Sequence, residues 1–345
     1  MRAGRWLPFA SALALLGCGA ELVPARAERP PAQDDAPGHE APRAAKERGS
    51  APASLRVAVV SDLNGSYGSR SYGEAVHGAV ARLRELSPDL VLSTGDMVAG
   101  QRPGLDYEGM WASFHAAVSD RLADAGIPFA VSPGNHDASG YPRYAHERAI
   151  YVEEWRRRRP ELDFQDGTHF PLRYSFAMGP ALFVAIDATT VGPLDDEQMA
   201  WLDEQLALGA RHPVKIVFGH VPLYPFAEGR RSEHIGDPAL EDLLARHQVS
   251  LFLSGHHHAY YPGRRGPLRL VSMACLGGGA RPLLGERHPS ERSLLLFEIT
   301  DQGVRELDAY AGPRFDRKIE RESLPPRVGL PGMQIVRDDL ELTLR

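Results

Sequence analysis

Cysteine is scarce. Cys18 and Cys275 are the two thiols in 345 residues, so a domain carrying Cys275 alone has no internal disulfide to lean on. Basic charge is not in excess either. Lys and Arg number 39 against 45 Asp and Glu, a net charge of −6, which leaves no electrostatic footprint for nucleic acid. The one basic cluster, Arg156 to Arg159, follows a helical pattern and suits a helix C-terminus. The apolar stretch Leu7 to Leu16 is too short to cross a bilayer as a helix. There is no internal repeat. What is present is ordinary for a globular chain: 43% apolar residues and a length that buries a substantial core in one large domain.

The first residues read as an address. Arg2 and Arg5 precede the Leu7–Leu16 stretch, as in a signal peptide. The sequence Leu15-Leu16-Gly17-Cys18 resembles a bacterial lipoprotein processing site. That resemblance implies a signal peptide over 1–17, lipidation of Cys18, a membrane as partner and an extracytoplasmic place at the bacterial cell envelope. An ordinary secretory signal with an incidental cysteine is the alternative, giving a secreted or periplasmic protein. Residues 18–53 are rich in Pro, Ala, Arg and Glu without apolar periodicity, and read as a disordered tether.

From about Leu55 onward, strand-like and helix-like segments alternate. Helical patterns are expected at about Glu74 to Leu86, Tyr107 to Asp124, Tyr144 to Arg158, Asp195 to Leu208 and Pro238 to His247. Asp195, Asp196 and Glu197 place acid in the first turn of the fourth, where the helix dipole favours it. Later segments are strand-rich: Leu268 to Ser272, Ser293 to Ile299 and Val304 to Tyr310. This order suggests two packed sheets with helices outside. The folded domain is expected over 54–312, with 313–345 as a Pro-rich tail that packs on it or adds a strand.

Five clusters of metal-ligand residue types each follow an apolar run. They are Asp62-Leu63-Asn64, Gly95-Asp96, Gly134-Asn135-His136-Asp137, Gly219-His220 and Gly255-His256-His257-His258. The preceding runs, Val57 to Ser61, Leu90 to Thr94, Phe129 to Ser132, Ile216 to Phe218 and Leu251 to Ser254, read as buried strands. Ligands in open α/β sheets bind beyond the carboxyl ends of strands, so the five are expected to deliver Asp, Asn and His to one sheet edge. Mixed carboxylate, amide and imidazole donors without thiolate suit Mn, Fe or Zn in a working site rather than a structural zinc.

In these clusters and their order the chain resembles the calcineurin-like metallophosphoesterases, over about residues 54 to 312. The resemblance implies a four-layer α/β/β/α sandwich of two packed mixed sheets flanked by helices. It also implies two divalent metal ions, and hydrolysis of a phosphate mono- or diester by in-line attack of a metal-bound hydroxide. Asp96 would bridge the ions; Asp62 and His258 would join it at the first site, and Asn135, His220 and His256 at the second. His136 would contact the phosphoryl group or protonate the leaving oxygen, and Asp137 would orient it through its other ring nitrogen. His256 and His258 are two apart, so in an extended segment both side chains face the same side while His257 faces away, as a spacer or a support behind the ligands.

Asn64 departs from the pattern, since most of the family have histidine there. It either ligates through its amide oxygen, shifting the first site toward Mn or Mg, or leaves that site weak. Purple acid phosphatases also lack this histidine, but they supply a tyrosine shortly after Gly-Asp; here Met97 to Gly100 supply none. A degenerate protein that binds one metal and a phosphorylated ligand without turnover is the alternative reading. Tyr67 and Tyr72 could touch substrate, and Gly277 to Gly279 with Arg281 could approach phosphate. Asp187 reads as a structural turn, and His115, His146, His169 and His234 as incidental. The loops 65–73, 100–106, 138–143 and 224–236 are expected to form the rim.

Overall fold

The structure is a computed structural model that describes residues 54–340. The expected signal peptide, Cys18 and tether lie outside the described residues, as do the last five. In chain order the first half comprises β1 (Leu55–Val60), α1 (Glu74–Leu86), β2 (Leu90–Ser93), α2 (Tyr107–Phe114), α3 (Asp120–Asp124), β3 (Phe129–Val131), α4 (Asn135–Ala138) and α5 (Ala145–Arg157). Then come β4 (Asp163–Asp166), β5 (Tyr174–Met178), β6 (Ala181–Ala185), α6 (Asp196–Leu208), β7 (Val214–Phe218), α7 (Pro238–Arg246) and β8 (Leu251–Ser254). The last part is strand: β9 (Tyr261–Arg265), β10 (Leu268–Ser272), β11 (Ser293–Thr300), β12 (Gly303–Ala311), β13 (Arg317–Lys318), β14 (Arg327–Val328) and β15 (Ile335–Arg337).

Two sheets result. The first runs β13-β12-β11-β1-β2-β3 and the second β14-β15-β9-β10-β8-β7-β6-β5-β4. β1, β2 and β3 pair in parallel, as do β6, β7, β8 and β10, while the strands outside these runs pair antiparallel. Parallel neighbours need crossovers, which α1 and α2–α3 supply in the first sheet and α6 and α7 in the second.

The side-chain period of two explains why the second sheet is buried on both faces. Ala181, Phe183 and Ala185 of β6 join the core that also holds β1 and β2, so this core lies between the sheets. Leu182 and Val184 turn the other way, into a second core with Trp201, Leu202 and Leu206 of α6 and Leu240, Leu243 and Leu244 of α7. The layers are therefore helices, sheet, sheet and helices, the expected α/β/β/α sandwich.

The expected helix Tyr107 to Asp124 is interrupted. A π-helical turn, His115–Ser119, separates α2 from α3, and His115 lies buried, stacked on Trp111 with its Nδ1 2.7 Å from Ser119 Oγ. Beyond residue 312, β13 extends the first sheet and β14 and β15 the second.

Candidate metal centre

All five clusters come together, but at the facing edges of two sheets rather than at one. Asp62 and Asn64 follow β1, Asp96 follows β2, and Asn135 begins α4 just beyond β3. His220 and His256 to His258 follow β7 and β8 of the second sheet. One sequence cannot reveal which sheet a buried parallel strand joins, because all such strands read alike. The two sheets meet at backbone level: beyond β10 of the second sheet, the Leu276 N–H donates to Ser61 O (3.1 Å) and the Gly277 N–H to Asp62 O (2.8 Å) at the end of β1.

The ligand-type residues sit in unusual backbone. Asp62 (φ 49°), Asp96 (φ 56°), His256 (φ 64°) and His258 (φ 55°) are all left-handed, a region that costs a side-chain-bearing residue about 1 kcal/mol. The segment 255–258 is thus not the extended strand expected from the His-x-His spacing. Each tight turn aims one side chain back over the strand ends. Gly95 shows why no bulk is tolerated: at φ 98°, a Cβ there would lie 2.7 Å from Gly134 Cα and 2.9 Å from His220 Nδ1.

Asp62, Asp96 and His258 each offer a ligand atom, and these atoms lie within 4.8 Å of one another. His258 Nε2 is 3.1 Å from Asp62 Oδ1. Beside them, the Asn135 amide oxygen lies 2.9 Å from both His220 Nε2 and His256 Nδ1, and His220 Nε2 is 3.4 Å from Asp96 Oδ2. Asp96 therefore stands between the two groups. The far ring nitrogens are fixed by carbonyls: His220 Nδ1 donates to Thr94 O (2.8 Å) and His258 Nδ1 to Gly279 O (3.0 Å). Such bonds fix the tautomer and aim the other nitrogen.

The electrostatics fit cations. Burial pushes the Asp62 and Asp96 carboxyls up, but His258 and His220 respectively outweigh it and hold both below the usual range. Burial likewise lowers His220 and His258, yet Asp96 raises the first to about 9 and Asp62 the second to about 11. The buried carboxylates thus hold protons on their histidines. Divalent ions bound by these donors would displace those protons, the usual coupling of metal and proton. The donor set accordingly fits divalent cation binding at Asp62, Asp96 and His258, with the donor atoms of Asn135, His220 and His256 close beside it.

One expected contact is replaced. Asp137 does not orient His136: its carboxylate accepts from the N–H groups of Met97 (2.8 Å), Val98 (2.9 Å) and Gly134 (3.1 Å). It ties the β3 loop to the β2 loop, and its helical position turns it from its neighbour. His136 instead has Nδ1 3.1 Å from Gly100 O, its backbone N–H on Asp96 Oδ1 (2.8 Å), and its ring 5.3 Å from that of Tyr67. The Asn64 amide nitrogen lies 3.4 Å from Val98 O, leaving its oxygen as the donor atom of that side chain.

His257 does face away, and it is buried. Phe226 N–H donates to its Nδ1 (3.0 Å), and its Nε2 donates to Glu233 O (2.8 Å). Burial lowers its pKa to about 3, so the neutral ring clamps the 224–236 loop onto the end of β8. Glu233 was not visible in the sequence. Its carboxylate lies 3.1 Å from His256 Nε2 and, helped most by that contact, its pKa falls to about 2. Nothing local to a carboxylate in a polar loop signals such a contact. Gln101, whose Oε1 accepts from Asn135 Nδ2 (3.0 Å), carries no signal either.

Tyr72 is structural, its hydroxyl donating to Met97 O (2.9 Å). Tyr67 is half exposed, with the Arg102 guanidinium 4.8 Å from its ring centre. Asp187 pairs with Arg148, whose guanidinium also donates to Ala138 O (2.7 Å), so it braces α5 and does not ligate.

Comparison with known proteins agrees with this geometry. The calcineurin-like phosphoesterase family matches residues 55–260, more than half of the chain. Among curated relatives, a probable purple acid phosphatase 20 of Arabidopsis thaliana is 25% identical over 213 residues, 60% of this chain and 46% of the relative. A probable glycerophosphodiester phosphodiesterase, GpdQ, of Arcobacter nitrofigilis is 28% identical over 198 residues, 56% of this chain and 66% of the relative. The matched part is thus less than two thirds of either relative's length. Among solved structures, the purple acid phosphatase PPD1 of yellow lupin (Lupinus luteus) superimposes with a TM-score of 0.58 at 16% identity, covering 77% of this chain and 53% of that one. A dimetal phosphatase from Danio rerio gives 0.51 at 15%, covering 74% and 97%. These two likenesses establish the fold.

Proposed function

The chain belongs to the calcineurin-like phosphoesterase family, and on that premise we propose that it is a two-metal hydrolase of a phosphate mono- or diester. The observation that carries this reading is the convergence of Asp62, Asp96 and His258 within 4.8 Å beside the Asn135 oxygen held between two imidazoles. Asp96 would serve both ions, with Asp62 and His258 on one side and Asn135, His220 and His256 on the other. When bound, paired divalent ions supply an activated water and neutralise charge on the phosphoryl oxygens. Asn64 would offer its amide oxygen to the first site.

The chain's own residues do the positioning. With Nδ1 committed to Gly100 O, His136 presents Nε2 toward substrate. A protonated Nε2 there can donate to a phosphoryl oxygen or to the leaving oxygen. Asp137 would act one step back, by holding the loop that carries His136 against the β2 loop. The relatives' names include phosphatases and a phosphodiesterase, so both ester types are the substrates to try.

Turnover of 4-nitrophenyl phosphate and bis(4-nitrophenyl) phosphate is expected to need added Mn and to vanish in His220→Ala. Hydrolysis that survives chelation, or that the variant retains, would refute the proposal. A folded protein that binds metal and phosphate without turnover would instead support the one-metal binding alternative. Asn64→His is expected to tighten metal binding at the first site by about tenfold, the scale of one donor change; equal affinities by calorimetric titration would show that position 64 does not ligate.

We extend the proposal to location on sequence grounds. The Leu15-Leu16-Gly17-Cys18 sequence supports a lipid anchor at the bacterial envelope. In cells, Cys18→Ala is expected to move the protein from the membrane fraction to the soluble one; an unchanged distribution would leave the secreted or periplasmic alternative.

A further inference from the structure

On the His256 and His258 side of the centre, two arginines, Arg230 and Arg281, come from joined segments near one carboxylate, Glu233. The 224–236 loop and the segment after His258 are joined by a short antiparallel ladder: Ala227 bridges Leu283, Glu228 N–H donates to Pro282 O (2.9 Å), and Leu284 N–H to Phe226 O (2.8 Å). Arg230 comes from one strand of this ladder and Arg281 from the other. Arg230 pairs with Glu233, whose carboxylate contacts His256. The Arg281 N–H donates to His258 O (3.2 Å), so each arginine is anchored beside one of the two outer histidines. A Cβ on Gly229 would lie 3.2 Å from Arg281 Nη1, which puts that guanidinium on the backbone next to Arg230.

The charges do not balance. Arg231 is matched by Glu228 at 3.0 Å, and Arg230 by Glu233. Arg281 makes no ion pair among the described residues, though it is only partly exposed, and burial together with Arg230 lowers its pKa. A partly buried guanidinium in the neighbourhood of another costs free energy unless an anion joins them. Arginine's planar fork is the donor suited to carboxylate or phosphate.

We propose that Arg281, seconded by Arg230, is a second anion-binding point beside the metal centre, and that it takes an anionic group carried by the leaving alcohol. The substrate class is then a phosphate ester bearing a further carboxylate or phosphate. This deepens the phosphoesterase reading and depends on it for naming the anion as part of a substrate.

The test uses non-hydrolysable ligands, so it does not depend on turnover. Calorimetry on the full Mn-loaded chain compares 3-phosphonopropionate with propylphosphonate, which lacks the second anion. Wild type is expected to bind the first about tenfold more tightly, the scale of one charge-assisted contact. Arg281→Gln should bring the ratio close to one, and Arg281→Lys should keep part of it. A wild-type ratio near one, or a ratio that persists in Arg281→Gln, would overturn the assignment. If wild type shows no Mn-dependent turnover of nitrophenyl esters while the ratio holds, the hydrolase reading fails and the anion point stands.

Discussion

Asp96→Ala is expected to lower turnover by at least about 10³-fold, the scale seen when a group acting as part of a catalytic unit is removed, and to erase stabilisation by Mn. Asp96 is 1% exposed, lies within ligand distance of Asp62 and His258, and is 3.4 Å from His220 Nε2. Among the described residues, Asp96 is the side chain that lies next to both ligand groups. On the two-metal proposal, each ion would keep a partial donor set without it and lose a shared negative charge. In wild type, Mn at a hundredfold excess over its Kd should add about 2.7 kcal/mol of stability, a rise in Tm of about 5 °C or more for a domain of this size. The variant should show no such rise. Its fold should survive, because Asp96 lies beyond the strand ends and outside both apolar cores, and the His220 left without its carboxylate can release its proton. Circular dichroism checks the fold, thermal scans with and without Mn the binding, and nitrophenyl ester assays the turnover. Turnover within tenfold of wild type would remove Asp96 from the centre.

The sequence made part of this legible for a specific reason. Buried parallel strands are short apolar runs, and their ends are where a fold of this kind places its donors. The five clusters could therefore be located to the residue, and α1 and α6 to within one residue at each end. Pairing geometry was another matter. Which strand joins which sheet is decided by tertiary packing, so the site was expected at one edge and is built on two. Local backbone was also hidden. The His-x-His spacing reads as extended, whereas the left-handed turns at His256 and His258 point the rings to different partners, Asn135 and Asp62. Adjacency in sequence misled at Asp137, since a one-turn helix turns consecutive side chains about 100° apart and the three N–H groups around its carboxylate come from two loops. The edge strand β4 and its neighbour β5 are short or mixed in pattern, and α4 is a single turn, too brief for any periodicity.

Gly134→Ala should be nearly as damaging as loss of a ligand, although no donor is removed. A Cβ at this position would sit 2.1 Å from Asp96 N and 2.2 Å from Asp96 Oδ1. Neither atom can yield cheaply. The amide is backbone, and the carboxylate oxygen is held by His136 N–H at 2.8 Å within a buried cluster. The clash must push the β3 loop away from the β2 loop, which strains the Asp137 bonds to Met97, Val98 and Gly134 and withdraws Asn135 and His136 together. Overpacking of this kind costs about 1–3 kcal/mol, and a displacement near 1 Å at the reacting groups costs about 10²-fold in rate. The expected result is a folded protein with Tm several degrees lower and turnover reduced about 10²-fold or more. Gly104→Ala is the control for strain without a clash: that glycine has positive φ, at 78°, and nothing lies within 4 Å of a Cβ there, whereas Gly134, at φ −99°, has a backbone that alanine adopts freely. It should lose a little stability and keep its turnover. Turnover kept by Gly134→Ala would mean that the close contact between Gly134 and Asp96 does not set the geometry of the centre.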